Sequence, residues 1–170
     1  MSGLTLKVLL QDIKKIVAEA LIVGFYEDAR PLKGAAGEID WLLCGSLSSL
    51  ILKNKLRGAL GDVALVTSQG KLSVQKIFLV GLGQRAGLSA STLQSAAKTT
   101  AASVLGAGVR SVVLEYIQPA GVQADAWLSA LQIGLHEGAA GRAFDVRLLA
   151  PDVVAYDTIS RSLSILSPKN

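Results

Sequence analysis

Lys76-Ile77-Phe78-Leu79-Val80-Gly81-Leu82-Gly83 is the stretch on which the reading of the fold turns. Four apolar residues in succession, Ile77 to Val80, leave no polar face, so the segment reads as a strand covered on both sides, as in a sheet flanked by helices. The glycines that follow permit a sharp turn. Gln84 to Leu88 then lead into a helix opening near Ser89. No catalytic constellation accompanies the stretch.

Upstream, Leu60 to Gly70 reads as a strand around Val63-Ala64-Leu65-Val66-Thr67 with a turn at Ser68-Gln69-Gly70. The short link to the next strand predicts an antiparallel hairpin. Downstream, Ser89 or Ser91 caps a helix whose apolar face is Leu93, Ala97, Thr100, Ala101 and Val104. Gly106 and Gly108 end it, and Arg110 to Ile117 is a strand around Val112-Val113-Leu114. This βαβ unit is expected to be parallel and right-handed. A helix after Gly121 places Ala124, Trp127, Leu128, Leu131 and Leu135 on one face and runs towards Gly138 or Gly141. Phe144 to Ala150 is a last strand, ended by Pro151. Val153 to Leu166 is a C-terminal helix with Val153, Val154, Ile159, Leu163 and Leu166 inward.

Before the hairpin, Leu4 to Leu10 is a first strand with Leu4, Leu6 and Val8 on one face. Asp12 to Val17 is a turn or a short edge segment. Glu19 to Tyr26 is a buried strand centred on Ala20 to Phe25, broken by Arg30-Pro31-Leu32-Lys33-Gly34. Ala36, Ile39, Leu43, Leu47, Leu50 and Ile51 form one helical stripe, although Gly45 and serines 46, 48 and 49 lower its propensity. Strands alternating with helices, plus one antiparallel hairpin, predict a three-layer α/β/α domain with a mixed, mostly parallel sheet over residues 1–170.

The composition agrees. Of 170 residues 51% are apolar and 5% aromatic, which suits a core of Ala, Val, Leu and Ile. Cys44 is the one cysteine, so an internal disulfide and a cysteine-rich zinc site are excluded and a cytoplasmic setting is expected. No signal peptide is recognised, and no apolar run approaches the ~20 residues that cross a bilayer. The net charge of +4 is dispersed, with one small cluster at Lys53, Lys55 and Arg57 that reads as a solvated helix end.

Gly81-Leu82-Gly83-Gln84-Arg85-Ala86 fits the degenerate dinucleotide pattern. In that motif, however, the helix starts at the second glycine and an acid follows about 20 positions on. Here the caps lie later, and Lys98 to Gly108 holds no acid. Turn-forming glycines are the simpler reading. Gly81, Gly83, Gly87 and Ser89 stand as candidate ligand-binding residues, because amides in such a loop can hold a phosphate. His136-Glu137 begins an H-E-x-x-H pattern, but Ala140 replaces the second ligand, and His136 reads as a partly exposed helix residue. Cys44 reads as core. Glu27-Asp28 and Glu38-Asp40 read as solvent-facing acids or as partners of a helix dipole. No catalytic residue, metal site or cofactor is expected.

Taken together, these pieces resemble the N-terminal domain of the leucyl aminopeptidases, the M17 peptidase family. The resemblance rests on Ala20 to Glu27, on Ile39-Asp40 leading into a helix with Gly45 and Leu47, on Leu56 to Asp62 and, most strongly, on Lys76 to Gly83. It continues through Leu93 to Ala97 and Glu137 to Ala140. It implies a macro-domain-like fold without the family's two-metal catalytic site, whose Asn-Thr-Asp-Ala-Glu-Gly-Arg segment does not occur here. The implied chain is a free-standing, non-catalytic domain acting in assembly or regulation, through self-association as a homo-oligomer or docking on an aminopeptidase catalytic subunit. A macro-like module binding a nucleotide or an ADP-ribose-type ligand is the alternative, and DNA binding is a third, suggested by the net charge and by DNA-binding relatives.

Overall fold

In the computed structural model, which describes residues 3–166, the segment Lys76–Gly81 is a strand with neighbours on both sides. In chain order the elements are β1 (Leu4–Leu9), β2 (Ala20–Phe25), α1 (Gly34–Leu42), α2 (Ser46–Leu52), β3 (Val63–Thr67) and β4 (Lys76–Gly81). There follow α3 (Ala90–Gly106), β5 (Ser111–Glu115), α4 (Ala124–Ala139), β6 (Phe144–Leu149) and α5 (Val153–Leu166). The strands form one six-stranded sheet in the order β1-β6-β5-β2-β4-β3. β3 runs antiparallel to β4, as the short link requires, and every other pairing is parallel. The α/β class with a mixed, mostly parallel sheet is as read from the sequence. β4, α3 and β5 form the expected parallel unit, with β2 lying between its two strands.

Two apolar layers explain the continuous runs. On one face Leu21, Val23, Ile77 and Leu79 pack against Ile39, Leu43 and Leu47 from the α1–α2 region. On the other, Ile22, Phe78, Val112 and Val146 pack against α3, α4 and α5 through Leu93, Trp127 and Ile159. Each such aliphatic side chain contributes roughly 1.5–3 kcal/mol by leaving water, so successive residues of β2 and β4 serve opposite layers. α3 and α4 meet backbone to side: a Cβ added to Gly134 would stand 2.3 Å from the Gln94 carbonyl oxygen, and one added to Gly138 would stand 2.2 Å from that of Lys98.

Three expectations are corrected. The single stripe from Ala36 to Ile51 is two helices set at 105°, because Cys44 (φ 54°) and Gly45 (φ 78°) take left-handed conformations that end α1. The break lets Ile39, Leu43 and Leu47 all reach the sheet. Asp40 accepts the Ser48 amide at 3.0 Å, so a serine that weakens one long helix helps to start the second. Cys44 is therefore exposed at the turn and is not core.

In α5, Ile159 is fully buried, with Ala155, Tyr156, Leu163 and Leu166 packed on the core. Val153 and Val154 are 61% and 76% exposed. At about 100° per residue both lie far round the helix from Ile159. Elsewhere, Asp12 to Val17 holds a short 3-10 turn, Ile13–Lys15, and His136 sits partly exposed on α4. Among the described residues no single helix is long and apolar enough to cross a membrane.

Candidate functional site at the strand C-termini

β1, β2, β4, β5 and β6 all end at the same edge of the sheet. There the chain leaves β2 for α1 on one face, whereas it leaves the adjacent β5 for α4 on the other. Diverging connections from neighbouring parallel strands leave a crevice outside their carboxyl ends, the usual ligand position in open α/β sheets.

The β2–β5 ladder runs from Ala20↔Val112 to Ile22↔Leu114 and stops, while β2 stays paired with β4 as far as Phe25↔Gly81. Glu115 fills this fork. One carboxylate oxygen accepts the Gly24 amide at 3.1 Å and the other accepts the Ala35 amide, in the first turn of α1, at 3.0 Å. Burial pushes this carboxyl up from 4.5 to about 7, against the lowering influence of the Ala35 and Gly24 hydrogen bonds. Each oxygen accepts one of these bonds, which leaves acceptor capacity on both.

Two hollows meet at this residue. One, of about 410 Å³, has Phe25, Tyr26 and Ile117 in its walls, with Lys33 and Arg85 beside them. The other, of about 380 Å³, includes Asp12, Ile13, Glu38 and Leu149. Gly34, Glu115, Tyr116 and Pro151 line both. The Arg85 guanidinium lies 5.5 Å from the Tyr26 ring centroid, and burial raises the Tyr26 hydroxyl while Arg85 opposes the shift. Burial also pushes Tyr116 up to about 12, so it remains a neutral phenol, donating to Gln118 Oε1 at 2.7 Å. Trp127 Nε1 donates to the Ile117 carbonyl at 2.6 Å and pins this side of the crevice to α4.

Gly81, Gly83, Gly87 and Ser89 come together along the β4–α3 connection. Their amides donate within the chain: Gly81 to the Asp62 carbonyl (2.8 Å), Gly83 to that of Gly58 (2.8 Å) and Gly87 to that of Gln84 (2.9 Å). The Ser89 amide donates to Thr92 Oγ1 at 2.8 Å, and Ser89 Oγ accepts from the Thr92 amide, closing a capping box at the start of α3. Arg85, which joins the crevice lining from the same connection, donates its own amide to Asp28 at 3.0 Å. Glu115 is the residue the sequence reading missed. Its signal was an acid closing an otherwise apolar strand, Val112-Val113-Leu114-Glu115, where the chain leaves the sheet.

The sequence model of the cytosol aminopeptidase family, N-terminal domain, matches residues 22–140. This chain belongs to that family. The match takes in Gly24, Arg85, Glu115 and Tyr116, and so most of the crevice. A probable cytosol aminopeptidase of Geobacter sulfurreducens is 32% identical over 112 residues, covering 65% of this chain and 22% of that protein. The chain thus spans about a fifth of the length of such relatives. Among solved structures, a mutant of tomato leucine aminopeptidase superposes with a TM-score of 0.67 at 18% identity, covering 97% of this chain and 36% of that one. The Oceanobacillus iheyensis macrodomain with ADP gives 0.68 at 16% identity, covering 96% of this chain and 92% of that one. These two likenesses establish the macro-domain-like fold.

Proposed function

We propose that this chain is a non-catalytic domain acting in the cytoplasm in the assembly or regulation of an aminopeptidase, by docking on a catalytic subunit or on further copies of itself. The observation that carries the reading is Trp41. A tryptophan at the end of a short helix, 74% exposed, stands over a shallow groove of about 740 Å³ that also includes Pro31, Leu32, Leu42 and Cys44. Exposed aromatic residues over apolar hollows are the usual anchors of protein interfaces. The family relation supports the choice of partner, since the relatives this chain resembles are cytosol aminopeptidases. Light scattering of the chain alone and mixed with a catalytic subunit of the family tests the reading. A monomer at high concentration that also leaves the subunit unbound counts decisively against it.

The Glu115 crevice favours a second reading, a macro-like module that binds a small ligand such as a nucleotide or an ADP-ribose-type molecule. In this reading Gly81, Gly83, Gly87 and Ser89 shape the connection that presents Arg85. A melting temperature unmoved by ADP-ribose and related nucleotides argues against ligands of that type.

A further inference from the structure

The six-stranded sheet has two edges, and they are built differently. β1 carries Lys7 in its middle, and a lysine on an edge strand is a common guard against pairing with another chain. β3, at the opposite edge, reads Val63-Ala64-Leu65-Val66-Thr67, with no charge and no proline. Leu65, at its centre, is 50% exposed. Among the described residues no strand pairs with β3 except β4.

The register tells which backbone groups are free. At one end of the β3–β4 ladder the Gly81 amide donates to the Asp62 carbonyl at 2.8 Å, and at the other the Ser68 amide donates to that of Gln75 at 2.9 Å. Antiparallel ladders alternate between hydrogen-bonded and non-hydrogen-bonded pairs, so Ala64 and Val66 turn their backbone groups to β4. Val63, Leu65 and Thr67 therefore turn theirs outward, each with one N–H and one C=O. The two ends of the strand also differ in charge. Asp62 stands at its start, whereas Thr67 is paired with Lys76 and is followed by a turn that closes where the Lys71 amide donates to the Ser68 carbonyl at 2.9 Å.

We propose that this edge pairs with the same edge of a second copy of the chain, antiparallel about a two-fold axis through Leu65, so that two sheets become one. The inference rests on the self-association reading above and gives it a surface. In this register Leu65 faces Leu65, Val63 faces Thr67, and the outward N–H and C=O groups of each copy bond to those of the other. Ala64 faces Val66 on the opposite side of the sheet. Aliphatic and β-branched cross-strand pairs of this kind stabilise a ladder. The antiparallel arrangement also sets the Asp62 end of each copy beside the Lys71 and Lys76 end of the other, whereas a parallel one would set like ends together. The edge is thus complementary to itself in hydrogen bonding, in side chains and in charge, and a two-fold contact closes the assembly at a dimer.

Analytical ultracentrifugation of the intact chain, with Leu65→Lys and Trp41→Ser as variants, tests the proposal. The unaltered chain is expected to dimerise, and Leu65→Lys to weaken the dimer by at least about tenfold, since it sets two ammonium groups face to face. Because Leu65 is half-exposed, the melting temperature of Leu65→Lys, taken at dilution, is expected to hold, which separates lost pairing from lost folding. Trp41→Ser is expected to leave the dimer intact. Cysteine supplies a second measurement: residues opposed in a hydrogen-bonded antiparallel pair lie about 5.5 Å apart at Cα, within reach of a disulfide. In a Cys44→Ser background, Leu65→Cys is therefore expected to cross-link two copies under mild oxidation, and Thr67→Cys, which faces Val63, to remain uncross-linked. A dimer that survives Leu65→Lys overturns the proposal, and if Trp41→Ser dissolves it, self-association stands on the α1 surface instead. A monomer at every concentration, without the cross-link, overturns the proposal together with self-association and leaves the edge to a strand from another protein.

Discussion

Gly81 at the end of β4 and the carbonyl oxygen of Ala59 are so close that a Cβ on Gly81 would stand 2.0 Å from that oxygen. The approach exists because the segment before β3 folds over the end of β4: Gly81 donates to the Asp62 carbonyl, and its own carbonyl accepts from Gly61. Backbone meets backbone, so no side-chain rotation relieves the contact. Gly81→Ala is therefore expected to lower stability by about 3 kcal/mol or more. Gly87→Ala, at a position with nothing within 4 Å and no left-handed φ, is expected to be neutral or slightly stabilising. Denaturant midpoints of the two variants measure the contrast, and equal losses would show that the close approach is absent in solution.

Glu115 makes stability depend on pH in an unusual direction. Its carboxyl is raised from 4.5 to about 7 by burial, which outweighs the Ala35 and Gly24 hydrogen bonds. A raised folded-state value means that the native chain binds this proton more tightly than the unfolded chain does. The contribution is complete below about pH 4.5 and is lost as pH climbs through about 7. Glu115→Gln, although less stable for want of one acceptor, is expected to show a flatter stability profile from about pH 5 to about pH 8. Chemical denaturation across that range is the check; parallel profiles for the two proteins would contradict the buried acid.

Ser89 closes the capping box of α3, accepting the Thr92 amide while Thr92 Oγ1 accepts its own. Ser89→Ala removes the first of these bonds and is expected to cost about 1 kcal/mol, seen as a fall in melting temperature of roughly 2–4 °C. Ser89→Asp, which restores an acceptor and adds a negative charge at the helix N-terminus, is expected to recover it.

Trp41 separates stability from docking. At 74% exposure, with the Lys14 ammonium 5.9 Å from its ring centroid, it adds little to the isolated fold. Trp41→Ser is expected to change unfolding by about 0.5 kcal/mol or less and to abolish binding to a catalytic subunit. A variant that binds unchanged would move the docking surface elsewhere.

Much of this architecture was legible in the chain. Ile77 to Val80 and Ala20 to Val23 are apolar without interruption because residues of both parities meet a packed layer, and that pattern is visible without coordinates. Ser89 was readable as a cap because its partner is three residues away. The break at Cys44-Gly45 was harder. The stripe from Ile39 to Leu47 keeps helical spacing across it, and only the left-handed conformations of Cys44 and Gly45 mark the turn. Val153 and Val154 were misassigned because hydrophobicity alone does not say which of two overlapping stripes on α5 faces the core. Glu115 left a signal as the acid closing an apolar strand, but its partners were out of reach: they are fixed by which strands become neighbours, and β5 beside β2 is a fact of topology.

That distance along the chain has a kinetic consequence. Glu115 joins the Gly24 amide across 91 positions and the Ala35 amide across 80. The first cannot form until β2 and β5 lie side by side, nor the second until α1 has docked, and both closures are costly in loop entropy. The clasp therefore belongs to the last part of folding. Loss of the carboxylate should quicken unfolding while leaving the refolding rate nearly unchanged, so Glu115 acts as a latch on the finished domain.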